Sequence, residues 1–157
     1  MITNNSMEEF YRILSVSIGK HIINSSEPVT EIDSIKNCCP AEFDFTSSIN
    51  ITGSYEGNLY LFASKESVDH IFRLIYSSDL PSLEKEGLVQ DSLDEFLNLI
   101  IANSTNRFLE TNLPIHVGVP LQRNIYSAAS ILSDPENGCI IDTHFGKILL
   151  TFINNNN

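Results

Sequence analysis

The 157-residue sequence has little positive charge. Nine lysine and arginine residues stand against twenty acidic ones, giving a formal net charge of −11, and no run of basic residues occurs. Proteins that bind the nucleic-acid backbone or anionic membranes rely on clustered lysine and arginine. The composition therefore argues against both partners. An acidic surface serves solubility, and it would also fit a protein partner with a basic rim.

Long hydrophobic segments are missing too. No apolar run approaches the roughly 20 residues that a membrane-spanning helix needs, and the candidate Phe96 to Ala102 is interrupted by Asn98. The segment Met1 to Glu8 has no basic cluster followed by an apolar stretch, so we expect no signal peptide. The expected location is the cytoplasm.

Cysteine and histidine are scarce and scattered. Cys38 and Cys39 are adjacent, an arrangement in which a disulfide is strained, and Cys139 is far away. We therefore expect reduced thiols. No zinc-ligand spacing, Walker loop or Ser/His/Asp triad is present, and the histidines lie far apart: His21, His70, His116 and His144. The sequence predicts no metal and no cofactor of its own.

Length and composition favour a single globular domain. Hydrophobic residues make up 42% of the chain and charged residues 18%, and the apolar positions are spread along the whole length. A chain of this size buries one core rather than two. We expect one domain over residues 1–157, with an ordered core at residues 6–153 and a polar tail at residues 154–157.

Hydrophobic periodicity predicts three helices and about six strands. The helices are expected at Met7 to Ile23, Ser64 to Ser77 and, as the longest, Leu83 to Glu110. A hairpin is expected within Phe43 to Phe62, with a short extended piece around Val29 to Ile32. The other strand candidates are Leu113 to Leu121, Ile125 to Leu132, Cys139 to Thr143 and Gly146 to Ile153. The predicted class is α+β with a largely antiparallel sheet. The prolines in Leu113 to Leu121 favour an edge strand or a bent strand there.

The long helix presents a polar face opposite its apolar one. At about 100° per residue, Asp91, Glu95, Asn98 and Ala102 lie on one arc, together with Thr105. The opposite arc is apolar: Leu93, Phe96, Leu97, Ile100, Ile101 and Phe108. Any solvated surface helix shows such a polar arc, so periodicity alone does not indicate chemistry.

The segment Asp91-x3-Glu95-x2-Asn98 resembles the helix signature of the CheC, CheX and FliY family of chemotaxis phosphatases, in the CheX form that has one motif. The order of elements from Phe10 to Ile153 is also similar to that family. Two positions differ, because the family usually has glycine where this chain has Ala102 and Asn124.

The resemblance implies a phosphatase that docks on a phosphorylated, CheY-like response-regulator receiver and hydrolyses its aspartyl phosphate. Asn98 would position the water, Glu95 would pair with a receiver lysine, and Asp91 and Ala102 would contact the partner. It further implies a homodimer joined through sheet edges, and Mg²⁺ in the receiver rather than in this chain. A non-catalytic adaptor that binds a receiver or a flagellar-switch protein is the alternative, and an unrelated α+β interaction domain is the third possibility.

Overall fold

The computed structural model describes residues 4–22, 43, 45–76, 82–120, 138–143 and 146–154. Three helices lie in these ranges: α1 (Asn4–Ile22), α2 (Lys65–Tyr76) and α3 (Ser82–Glu110). Five strands accompany them: β1 (Phe45–Gly53), β2 (Gly57–Ala63), β3 (Ile115–Pro120), β4 (Gly138–Thr143) and β5 (Gly146–Asn154). None of the helices in the described ranges is both long and apolar enough to cross a membrane.

The strands form one antiparallel sheet in the order β3-β1-β2-β5-β4. This arrangement confirms the predicted α+β class. The described sheet has five strands rather than about six, because the candidates Ile125 to Leu132 and Val29 to Ile32 lie outside the described residues. Within the described sheet, the proline-containing β3 is an edge strand, which is one of the two predicted possibilities, and its neighbour is β1.

The helices cover one face of the sheet and share a core with it. The aromatic centre of this core is Phe10, whose ring centroid lies 4.7 Å from Tyr55 and 5.1 Å from Phe152. Each fully buried large apolar side chain contributes about 2 to 3 kcal/mol through removal of its surface from water. A second buried cluster lies apart from this core: Phe43, Tyr60, Phe62, Ile140 and Leu149.

The ends of the helices follow their capping residues. The backbone N–H of Ser67 donates to the hydroxyl of Ser64 at 3.3 Å, so Ser64 is the N-cap of α2. Helix α3 ends in a Schellman motif: Asn112 takes a positive φ of 60°, and Leu113 N–H donates to the Phe108 carbonyl at 2.9 Å. Gly87 does not interrupt α3, which runs unbroken from Ser82 to Glu110.

Candidate active site

Helix α3 is held in place by its apolar arc, which packs against α1, α2 and β1. The six residues of that arc are buried, at no more than 1% exposure: Leu93, Phe96, Leu97, Ile100, Ile101 and Phe108. The hydroxyl of Ser17 on α1 also donates to the Ile100 carbonyl at 3.0 Å. The periodicity in the sequence therefore identified the buried side of this helix correctly.

The four predicted site residues lie on the outer side of α3. Asp91, Glu95 and Ala102 are exposed, Asn98 is half-buried, and their helical positions span an arc of about 60°. Exposed residues continue this line to the C-terminal end of α3, including Leu109 at 62% exposure. We call the whole line the motif strip, about 27 Å long at 1.5 Å per residue: Asp91, Glu95, Asn98, Ala102, Thr105 and Leu109.

One contact beside the motif was not predicted. The hydroxyl of Ser47 on β1 donates to Asp94 Oδ1 at 2.6 Å, and Gln90 Nε2 donates to the same oxygen at 3.0 Å. Gln90 Nε2 also donates to the Thr46 carbonyl at 2.9 Å. One feature of the sequence could have indicated this contact. Ser47 is polar, although it lies on the same side of β1 as the buried apolar residues Ile49 and Ile51.

The comparison with known families identifies the family of the chain. The family model described as chemotaxis phosphatase CheX matches residues 45–140, which is more than half of the chain and includes all of α3. The chain belongs to the CheX family. This result confirms the resemblance found in the sequence.

Solved structures agree with this assignment. A CheX protein from Desulfovibrio desulfuricans superimposes with a TM-score of 0.63 at 13% identity, covering 94% of this chain and 97% of that one. CheX from Borrelia burgdorferi, solved in complex with CheY, BeF3 and Mg²⁺, gives 0.58 at 17% identity and covers 97% of each chain. FliY from Thermotoga maritima gives 0.56 at 15% identity, covering 99% and 93%.

These identities are low, so the structural likeness shows a shared fold. No curated protein sequence matches the chain.

The motif of this CheX-family chain is available for contact. Within the described part of the chain, the side chains of Glu95 and Asn98 hydrogen bond to no other residue. A carboxamide both donates and accepts hydrogen bonds while staying neutral, and a carboxylate pairs with a cation. The pair can therefore orient a water molecule and bind a lysine.

The motif strip carries negative charge at one end. Asp91 and Glu95 lie on its N-terminal half, and no basic residue belongs to the strip. Arg107, elsewhere on the same helix, forms an exposed ion pair with Glu110 at 3.2 Å. No group of three or more His, Cys, Asp and Glu residues in the described ranges is arranged to hold a metal ion. The strip thus suits a partner surface with a positive charge opposite Glu95.

Two buried titratable groups lie away from the strip, in the core. Burial raises the pKa of the Cys139 thiol to about 12, and this cysteine is free. Burial also raises the pKa of Tyr11, whose hydroxyl accepts a hydrogen bond from the Phe152 N–H at 2.9 Å. Cys38 and Cys39, expected as reduced thiols, lie outside the described residues. Cys139 and Tyr11 stabilise the fold and have no part in the candidate site.

Proposed function

We propose that this chain docks on a phosphorylated CheY-like receiver domain and accelerates hydrolysis of its aspartyl phosphate, which terminates a chemotaxis-type signal. The observation that carries the proposal is the pairing of Glu95 and Asn98 on the outer side of a helix whose inner side is fully packed. The family is described as a chemotaxis phosphatase, and this motif lies inside the matched segment. The Borrelia burgdorferi structure, in which a protein of this fold is bound to CheY with BeF3 and Mg²⁺, supports the choice of partner.

In the proposed reaction, Asn98 orients a water molecule in line with the aspartyl phosphate. The water oxygen forms a bond to phosphorus while the bond to the aspartyl oxygen breaks, releasing a carboxylate and inorganic phosphate that takes the water protons. The Mg²⁺ and lysine of the receiver already balance charge on the phosphoryl oxygens, so positioning is the main task left. Positioning a reactant in this way lowers the barrier by several kcal/mol, which means a large rate gain.

Three other residues of the motif strip are proposed to contact the receiver. Glu95 forms an ion pair with the receiver lysine, which sets the register of α3 on the partner. Asp91, one turn earlier, adds negative charge to the same contact. Ala102 has only a methyl group, so the partner backbone can approach α3 closely beside Asn98.

The chain needs no cofactor of its own under this proposal, and the Mg²⁺ belongs to the receiver. The reaction takes place in the cytoplasm, where receivers act. We further propose a homodimer joined at β3, because this edge strand leaves one side of its backbone unpaired in the described sheet and exposes Val117.

The decisive experiment compares wild type with Asn98→Ala. Receivers from the same cell are phosphorylated, and the loss of phosphate is followed with and without the protein. Wild type should accelerate the loss, while Asn98→Ala should abolish the acceleration and keep its affinity for the BeF3-bound receiver within about three-fold, since the side chain acts on water. Asn103→Ala is the matched control, because Asn103 is exposed on the same helix but points away from the motif.

The alternative is a non-catalytic adaptor of the same fold, binding a receiver or a flagellar-switch protein. Ala102 favours it, because the family usually has glycine at this position. An adaptor would bind the receiver and leave its dephosphorylation rate unchanged. If wild type accelerates phosphate loss from none of the receivers of its cell, the phosphatase proposal is wrong.

A further inference from the structure

Asp94 lies immediately before Glu95 but points toward strand β1 instead of the motif strip. Its Oδ1 accepts hydrogen bonds from Ser47 at 2.6 Å and from Gln90 at 3.0 Å. Gln90 in turn donates to the Thr46 carbonyl at 2.9 Å. Two consecutive residues of β1 are thus joined to two residues one turn apart on α3, at the level of the motif.

This polar contact is set in an otherwise apolar interface. Ser47 is 3% exposed, and the inward residues that follow it on β1, Ile49 and Ile51, are buried among apolar side chains. Apolar contacts have no preferred direction, whereas hydrogen bonds weaken steeply when their distance and angle change. A single polar contact in an apolar interface is a known way to specify one register.

The position of this contact makes it important for the motif. Asn98 lies one turn beyond Asp94, and Glu95 is the next residue, so a rotation of α3 at Asp94 moves both. Side-chain tips lie about 5 to 6 Å from a helix axis, so a rotation of about 10° displaces them by about 1 Å. A displacement of that size can lower a reaction rate about 100-fold.

We propose that Asp94 is a positioning residue: its hydrogen bond with Ser47 of β1 sets the rotation of α3 so that Glu95 and Asn98 meet the receiver in the productive geometry. Its second hydrogen bond orients Gln90, which holds α3 to the Thr46 carbonyl. This inference rests on the proposed phosphatase function. Asp94 itself touches neither the water nor the phosphoryl group, and it acts through the helix.

Two substitutions of Asp94 distinguish this positioning role from a direct effect of its negative charge. Both donors reach the same oxygen, Oδ1, and asparagine keeps an acceptor oxygen at that place. Asp94→Asn should therefore retain the anchor and lose the charge. Asp94→Ala loses both.

The experiment measures two quantities for each variant: the dephosphorylation rate at saturating phosphorylated receiver, and the affinity for the BeF3-bound receiver. Asp94→Ala should lower the rate about ten-fold or more while changing the affinity less than about three-fold. Asp94→Asn should remain close to wild type. Ser47→Ala should lower the rate in the same direction, and the double variant should be no slower than the slower single variant, since both remove one anchor.

The control is Glu66→Ala, which removes an exposed carboxylate on α2 and makes the same change in net charge. Its rate should equal that of wild type. Thermal unfolding of every variant shows whether a slow variant is folded.

Each other outcome overturns the inference in a distinct way. If Asp94→Asn is as slow as Asp94→Ala, the charge and not the anchor is responsible. If Asp94→Ala is as fast as wild type while Asn98→Ala is slow, the positioning role is wrong and the proposed function stands. If Asp94→Ala does not fold, a Ser47→Ala variant with wild-type rate refutes the role. A wild-type protein without activity overturns both proposals.

Discussion

Asp94 and Glu95 are consecutive residues with different surroundings: Asp94 is hydrogen bonded to Ser47 of β1, whereas Glu95 is exposed on the outer side of α3. One side of the helix therefore holds it on the sheet, and the other side is open to a partner. Substitutions on the motif strip should change docking or catalysis with little effect on stability, while substitutions on the buried arc should unfold the protein. The first three predictions below use this separation.

Glu95→Gln should weaken receiver binding by about ten-fold at low salt, because it removes one charge from an interfacial ion pair worth on the order of 1 to 2 kcal/mol. The dependence of affinity on salt should also become shallower, since exposed charge pairs are screened. Titration of the BeF3-bound receiver between about 50 and 300 mM salt measures both effects. Glu66→Gln on α2 is the control and should bind like wild type. Equal affinities for Glu95→Gln and wild type at low salt would contradict the docking role.

Ala102→Leu should block close approach of the receiver and lower affinity about ten-fold or more, because an added side chain on the strip produces a clash. Ala102→Gly should keep the affinity but reduce the free energy of unfolding by about 1 kcal/mol, the usual cost of glycine inside a helix. Binding assays and urea unfolding measure the two effects. Asn103→Leu is the control, because it places the same leucine side chain one residue along the helix, turned away from the strip. If it weakens binding as much as Ala102→Leu, the site of approach is wrong.

Leu109→Asp should weaken receiver binding, because Leu109 continues the motif strip and is 62% exposed. The matched variant is Leu74→Asp on α2, where the leucine is 45% exposed but lies outside the strip. Both changes introduce the same charge on an exposed helix position, so their stabilities should be similar. Only Leu109→Asp should lower the affinity for the BeF3-bound receiver. If the two variants lower the affinity equally, or if neither lowers it, Leu109 does not belong to the docking surface. The docking surface would then be limited to the N-terminal half of the strip.

Stability should decrease at alkaline pH. Burial raises the pKa of Cys139 from 9.0 to about 12, and it also raises the pKa of Tyr11 above its ordinary value of 10.0. The folded state holds both protons more tightly than the unfolded chain does. The stability from these protons is therefore complete below about pH 9 and decreases as the pH rises from there toward 12.

Urea unfolding at pH 8 and at several values up to pH 11 measures this effect. Cys139→Ala should reduce the slope of unfolding free energy against pH, and Tyr11→Phe should reduce it further at the upper end. The variant that combines Cys139→Ala with Tyr11→Phe completes the test. If its unfolding free energy has the same slope against pH as that of wild type, other groups control alkaline unfolding.

Much of the local structure could be predicted from the sequence. The spacing of apolar residues predicted both ends of each of the three helices to within three residues. The alternation of apolar and polar residues located the β1–β2 and β4–β5 hairpins. The arc that carries Asp91, Glu95, Asn98 and Ala102 follows from the period of the helix alone. These features depend on neighbours within a few residues, so a short stretch of sequence contains the information. The catalytic and docking roles of the four residues stay predictions.

The sequence by itself determined the elements, their apolar sides and the membership in the CheX family. Only the tertiary structure decided that β5 lies between β2 and β4, and that β3 pairs with β1 at the sheet edge. It also decided that Asp94 meets Ser47, a residue 47 positions earlier in the chain. Such contacts depend on how whole elements pack together, and no local period records them. The side of α3 that faces outward is thus a property of the sequence, while its exact rotation is a property of the packed fold.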